Sequence, residues 1–355
     1  METNPSGDNG NVVSSGPLGG ISRRTSVRRA RRIASGGFLA ALATSCTAGT
    51  PSILNPEGTG AKRIAGLWWL MLWISTAVFV VVLVLIAVAV VRRRRRGTEI
   101  DASEPRWGEP FVVIVGVFIP IVILTSVFVV SVRDMNAIER GDPHLTIDVI
   151  GHTWWWEARY PNGAVTANEI HVPTGEPVRV EVSTVDVIHS FWVPQLAQKI
   201  DMIPGRTNSI ILTAERPGRY RGQCAEFCGL QHANMAFYVI AQPASAFDAW
   251  MAHEASPAVA PTAGEAASGM QLLLSSNCAG CHTISGTPAE GALGPDLTHV
   301  ASRQTIAAGT LTNTPANLAA WIRDPQAFKP GAVMPPSPFL PAEVREVVAY
   351  LETLT

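Results

Sequence analysis

The chain has 355 residues, enough for two or three domains, and 47% of them are hydrophobic. A positive mean hydropathy implies membrane segments beside polar domains. The formal net charge is −1, yet the first hundred residues carry two dense arginine clusters. The remainder is therefore acidic and offers no basic stretch for a nucleic acid.

Residues 1–20 are rich in Gly, Ser and Asn and read as disordered. Arg23, Arg24, Arg28, Arg29, Arg31 and Arg32 follow, then a short apolar run, residues 33–43, ending in Ala43-Thr44-Ser45-Cys46. A basic region, an apolar core and small residues before a cleavage point make a signal-peptide pattern. Residues 1–46 thus form a basic N-terminus with a signal- or lipoprotein-like segment. Cys46 resembles a bacterial lipoprotein site, although Ala43 stands where such sites prefer leucine. Cleavage elsewhere, or a cytoplasmic tail with an inert Cys46, remains open. The residues after Arg23-Arg24 fit twin-arginine export poorly.

Residues 64–91 are uncharged, apolar and long enough to span a bilayer with tilt. Five arginines, residues 92–96, end that run. A second uncharged run, residues 110–132, contains Pro120, which membrane helices tolerate better than soluble ones. The positive-inside rule puts the connecting loop, residues 92–109, in the cytoplasm. The spans then form a hairpin of transmembrane helices, with the segment after Cys46 and everything after Arg133 outside. The arginine run is a weak nucleic-acid patch because it abuts a span.

From residue 142 to 245 short β-rich runs appear at 145–150, 178–182, 209–213 and 236–241. Turn signals such as Pro161-Asn162-Gly163, Pro204-Gly205 and Pro217-Gly218 lie between them. This spacing predicts a β-sandwich or barrel. Residues 255–268 are rich in Ala, Pro, Gly and Thr and read as a flexible linker. The last segment, 269–355, is helical again, with runs at 270–277, 315–323 and 341–354, the last two led by proline.

The five cysteines, Cys46, Cys224, Cys228, Cys278 and Cys281, leave at least one thiol without a disulfide partner. The segment Cys224-Ala225-Glu226-Phe227-Cys228-Gly229-Leu230-Gln231-His232-Ala233-Asn234-Met235 packs two thiols, an imidazole and a thioether together. His189 lies upstream at the end of a β-rich run. Thiolate and thioether donors select copper, and imidazole suits it. Two thiolates can bridge two copper ions, each completed by one histidine, so that one electron is shared over both. A Cys224–Cys228 disulfide or a zinc site stays open. Neither explains Met235 or the placing of Glu226.

These residues resemble subunit II of the haem–copper cytochrome c oxidases, over residues 66–243. The phrases Ile203-Pro204-Gly205-Arg206 and Arg216-Pro217-Gly218-Arg219-Tyr220-Arg221-Gly222-Gln223 are similar too. The resemblance implies a two-helix hairpin and an all-β cupredoxin-like sandwich with a dinuclear CuA centre. Its ligands would be His189, Cys224, the backbone carbonyl of Glu226, Cys228, His232 and Met235. The Glu226 side chain would also bind magnesium at the boundary with subunit I. Trp154 would be the residue where electrons come in, and Asp186 an acid near the face that docks the donor. Trp155 and Trp156 read as core aromatics or as an interfacial belt. Glu109 stands near a family glutamate that feeds protons to subunit I, but its spacing to Pro120 is longer than the family's.

Asn277-Cys278-Ala279-Gly280-Cys281-His282 is a C-x-x-C-H motif, in which two thiols attach a haem covalently and His282 ligates its iron. Met334, in a proline-rich loop, is the only methionine beyond the motif and the expected sixth ligand. His299 is a rival that reads as a surface residue. Residues 269–355 resemble class I cytochrome c, an all-α domain. There Gly294-Pro295-Asp296-Leu297 looks like the loop whose proline carbonyl accepts a hydrogen bond from the proximal histidine.

Together the parts resemble subunit II of a caa-type oxidase over residues 64–355. The resemblance implies a multidomain membrane protein of the bacterial plasma membrane, with CuA and haem c as cofactors. Subunits I and III and an external donor, cytochrome c or another carrier, would be its partners. Electrons would run from haem to copper to haem a of subunit I, which would reduce oxygen and pump protons. The spans hold no histidine for a haem or copper of their own. A nitric oxide reductase subunit with the same copper module and a copper-delivery protein are competing readings. Nitrous oxide reductase is disfavoured because no propeller precedes the copper segment.

Overall fold

The computed structural model describes residues 51–96, 108–138 and 142–355. The signal-like segment with Cys46 and most of the arginine-bounded loop lie outside the described residues.

Two helices are long and apolar enough to cross a membrane. The first, Thr59–Arg96, extends the expected span at both ends, because the lysine and arginines flanking the apolar run are themselves good helix formers. The second runs over Gly108–Ile138 and carries a π-helical turn at Ile114–Phe118. The cause is Pro120, which has no N–H for the carbonyl four residues back and whose ring crowds it. Arg63 near the start of the first helix lies 3.5 Å from Asp134 near the end of the second. The two helices are therefore antiparallel.

The segment before the first helix is part of the β domain. Gly58 bridges to Ala214, Glu57 N–H donates to the Gln195 carbonyl, and Ala61 N–H to that of Leu196. Arg216 pairs with Glu57 and Lys62 with Glu215. The outer ends of both helices thus sit on the same side as the β domain.

That domain has ten strands: β1 Leu145–His152, β2 Trp155–Arg159, β3 Val165–Ala167, β4 Glu169–Pro173, β5 Val178–Thr184, β6 His189–Trp192, β7 Ile200–Met202, β8 Asn208–Leu212, β9 Gly218–Cys224 and β10 Ala236–Gln242. They form two five-stranded sheets, ordered β3-β2-β1-β5-β8 and β4-β10-β9-β6-β7. Within a sheet β1 runs parallel to β5 and β10 parallel to β4, while the other pairs are antiparallel. This is a cupredoxin-like sandwich. Inward positions alternate along β5, where Val178, Val180 and Val182 are buried, and meet Phe191, Phe237 and Trp156 from the other elements. Trp156 is core, 4.8 Å from the Phe237 ring centroid, and Trp155 stacks on His152 at 4.0 Å.

After a helix at Ala244–Glu254 the chain enters the C-terminal domain, whose first helix, Gly264–Leu274, begins inside the stretch read as linker. Small alanines there are helix formers once a partner helix covers them. The partner is Pro341–Leu351, and the two cross at Gly269, where a Cβ would lie 1.8 Å from the Glu346 carbonyl oxygen. Helices at Cys278–Cys281 and Pro315–Arg323 complete the helical cytochrome c domain, with a small β ladder pairing Thr305–Ile306 with Leu311–Thr312. His299 is not on the surface: it is 3% exposed, and its ring contacts the carbonyls of Thr355 and Ser256.

Candidate functional site: a thiol–imidazole centre and a C-x-x-C-H loop

β9 ends at Cys224, and the loop from 225 to 235 folds back under it before β10 begins. Cys224 N–H donates to the Met235 carbonyl, closing the loop at its base. β6 brings His189 alongside, because Phe191 pairs with Cys224. Three other expected side chains, His189, His232 and Met235, and one carbonyl thereby converge on the two sulfurs. Cys224 Sγ lies 3.7 Å from Cys228 Sγ, 3.8 Å from His189 Nδ1 and 3.2 Å from the Glu226 carbonyl oxygen. Cys228 Sγ lies 3.7 Å from His232 Nδ1 and 3.8 Å from Met235 Sδ. Both thiols are free, and their separation is far beyond an S–S bond of about 2.05 Å.

The electrostatics favour deprotonation in sequence. The sulfur–sulfur contact with Cys228, opposed by burial and aided by His189, holds the Cys224 thiol far below the usual range. The same contact, with burial, pushes Cys228 up. Each imidazole offers Nδ1 to a different sulfur, and His189 Nε2 lies 2.9 Å from Asp186 Oδ1. A carboxylate accepts, so Nε2 carries a proton and Nδ1 is the nitrogen left to face a metal. Asp186 also accepts from Thr153 N–H and its hydroxyl. Its carboxylate thus braces the site while the side chain stays 27% exposed. Two thiols, two imidazole lone pairs, a thioether and a carbonyl fit a soft metal.

Trp154 covers this centre. Its indole N–H donates to the Cys228 carbonyl at 2.9 Å. The Glu226 side chain is half-buried, and Glu109 is exposed in the first turn of the second membrane helix.

In the C-terminal domain Cys278 and Cys281 begin and end a single helical turn, with His282 next in extended backbone. His282 Nδ1 donates to the Pro295 carbonyl at 2.7 Å. Burial lowers the pKa of the ring, so that it is neutral with Nε2 free to ligate. Gly294 packs flat on the ring: a Cβ there would be 2.5 Å from His282 Cε1. Met334 sits half-buried in a loop braced by Gln326, whose amide donates to the carbonyls of Ala332 and Met334. Two thiols, a neutral imidazole and a thioether fit a covalently held haem.

The two domains touch beside Trp154. Lys329 Nζ donates to the Trp154 carbonyl at 2.9 Å, and Gln231 Nε2 to that of Pro330 at 2.7 Å. On the far side Glu169 accepts from Gln304 N–H, Thr305 N–H and the Thr305 hydroxyl. Lys329, Gln231 and Glu169 escape sequence reasoning, since their partners lie on the other domain.

Fold and sites together define a membrane-anchored cupredoxin-like protein with a cytochrome c domain behind it. Residues 163–242 match the family described as cytochrome C oxidase subunit II, periplasmic domain, and residues 266–355 match cytochrome c. Cytochrome c oxidase subunit 2 of Alkalihalophilus pseudofirmus is 36% identical over 311 residues, covering 85% of this chain and 90% of that one. The Bacillus sp. (strain PS3) protein of the same name is 34% identical, covering 63% of this chain and 65% of its own. The periplasmic domain of subunit II of Bradyrhizobium japonicum cytochrome oxidase is 32% identical, covering 33% of this chain and 96% of that one, with a TM-score of 0.31. The chain belongs to the cytochrome c oxidase subunit 2 family, and is a subunit of a haem–copper oxidase with a cytochrome c domain of its own.

Proposed function

We propose that this subunit takes electrons at a single c-type haem and hands them through a dinuclear copper centre to haem a of subunit I, where oxygen is reduced and protons are translocated. Cys278 and Cys281 hold the haem, and His282 and Met334 ligate its iron. His189, Cys224, the Glu226 carbonyl, Cys228, His232 and Met235 hold the copper. One observation carries the reading: two free thiols 3.7 Å apart, each facing the Nδ1 of a different histidine. A single zinc ion would not use Met235 or the Glu226 carbonyl.

Copper bound there shares one electron over two metals, and a haem with His/Met ligation supplies a raised potential for donation. The chain's own residues prepare both. Cys224 gives up its proton first, Asp186 fixes the His189 tautomer, and the Pro295 carbonyl fixes that of His282. Trp154 gives an incoming electron a short path, through its hydrogen bond to Cys228. The Glu226 carboxylate binds magnesium at the boundary with subunit I. The copper domain spans residues 142–245 and the haem domain 264–355. Both lie on the outer face of a bacterial plasma membrane, crossed by the two helices, with subunits I and III and an external donor such as cytochrome c as partners.

The test is electron paramagnetic resonance on the full chain in detergent, matured with haem and loaded with copper. A copper signal split by two equivalent nuclei, beside a low-spin haem signal, is expected. Splitting from one copper, or a silent copper with a Cys224–Cys228 disulfide, overturns the reading.

A further inference from the structure

Lys329 is 3% exposed, although lysine is among the residues least often buried. Burial pulls its ammonium down to about 8. No carboxylate lies within ion-pair distance of it among the described residues. A buried cation with no carboxylate beside it is costly, even with the Cys228 sulfur favouring its charge, and an apolar side chain of similar length would fill the same space without that cost. What the ammonium does instead is bridge. It donates to the Trp154 carbonyl at 2.9 Å and reaches the Ala307 carbonyl at 3.4 Å.

The two ends of this bridge are the two ends of the electron route. Lys329 belongs to the braced loop that presents Met334: its N–H donates to the Pro325 carbonyl, and its own carbonyl accepts from Ala332 N–H. Trp154, the acceptor, is bonded through its indole to Cys228. Leu230, otherwise exposed, rests against Gly331 of the same loop. The contacts from the Met334 loop through Lys329 and Trp154 to Cys228 are part-buried.

We infer that Lys329 is a positioning residue, which clamps the haem-ligand loop onto Trp154 and so holds the haem domain at the distance from the copper centre that transfer requires. The inference rests on the haem-to-copper route proposed above. One electron crosses, oxidising the haem iron and reducing the copper pair, and no bond or proton moves. Rigid placement matters because the rate of electron transfer falls with the separation of donor and acceptor.

The experiment compares the full chain with Lys329→Met, Lys329→Gln and Gln231→Ala in detergent, with haem and copper loaded. Two readouts are taken: hydrogen–deuterium exchange over residues 326–334 and 151–156, and the rate of haem-to-copper transfer after flash reduction of the haem. Lys329→Met is expected to lose exchange protection in both segments and to slow transfer, with the copper and haem resonances unchanged. Lys329→Gln, which keeps a donor without the charge, is expected to recover most of both. Should Lys329→Met fail to take up cofactors, Gln231→Ala decides, since loosening the same loop is expected to slow transfer to a lesser degree. Unchanged protection and rate in Lys329→Met, a Lys329→Gln as slow as Lys329→Met, or an unaltered Gln231→Ala where that variant decides, overturns the inference. Absence of transfer in the unsubstituted chain overturns instead the proposed route.

Discussion

Asp186 Oδ1 stands 2.9 Å from His189 Nε2, on the ring nitrogen opposite the one that faces Cys224. Its other oxygen takes both the N–H and the hydroxyl of Thr153, the residue before Trp154. One carboxylate therefore ties the imidazole that faces Cys224 to the strand end that carries the covering indole.

An asparagine at 186 has a single oxygen and cannot serve both. Asp186→Asn is expected to weaken copper binding by roughly 10–100-fold, the usual cost of losing a partner that orients a metal ligand. Competition against a calibrated copper chelator, with thiol titration to check that Cys224 and Cys228 stay reduced, measures it.

Gly294 lies flat on His282 with no room for a methyl group. Gly294→Ala is expected to tilt the ring away from the Pro295 carbonyl and to destabilise the C-terminal domain by about 1–3 kcal/mol, as overpacking does. Haem content per chain should fall, and the low-spin signal should weaken in what haem remains. A wild-type spectrum and content would show that the ring can shift without loss.

Glu169 is 2% exposed and takes three hydrogen bonds from Gln304 and Thr305 at 3.0 Å. In Glu169→Gln an amide N–H faces donors. The expected loss is about 1–3 kcal/mol, seen as a lower unfolding midpoint and as faster amide exchange at 304–305. The midpoint alone falling would place the damage within the β domain instead.

Burial lowers His171 to about 4, against the rise given by its bond to Gln242. Between pH 6.5 and 4 the unfolded chain binds this proton and the folded chain does not, so stability rises with pH across that window and is lost on acidification. The loss is at most about 3 kcal/mol at the low end. His171→Asn should flatten the slope of denaturant midpoint against pH between 6.5 and 4.

What the sequence discloses and what it conceals follow one physical divide. The soft donors crowded into one dozen residues, Cys224 to Met235, are legible as a cluster because their spacing is local. The strands at 145–152 and 178–184 are legible from alternating apolar residues. β2 and β6 are short and aromatic, and their tryptophans and histidine advertise chemistry more loudly than strand. His299 reads as surface because its acceptors, the Thr355 and Ser256 carbonyls, come from 56 and 43 residues away. Lys329 is silent for the same reason: its carbonyl partner is 175 residues distant. The helix at Gly264–Leu274 is hidden by a composition suited to a linker, and forms because Pro341–Leu351 crosses it at Gly269.

The strap of residues before the first membrane helix, bridged at Gly58 to Ala214, has a bearing on biogenesis. The β domain is synthesised after both spans, yet it needs a piece of chain made before either. A chain in which only one of the two spans inserted would strand that piece across the bilayer from the β domain, and Gln195, Leu196 and Ala214 would lack their backbone partners. The strap thus reports on insertion in a way that arginine charge does not: the folded domain finds its leading strap only when both spans have crossed.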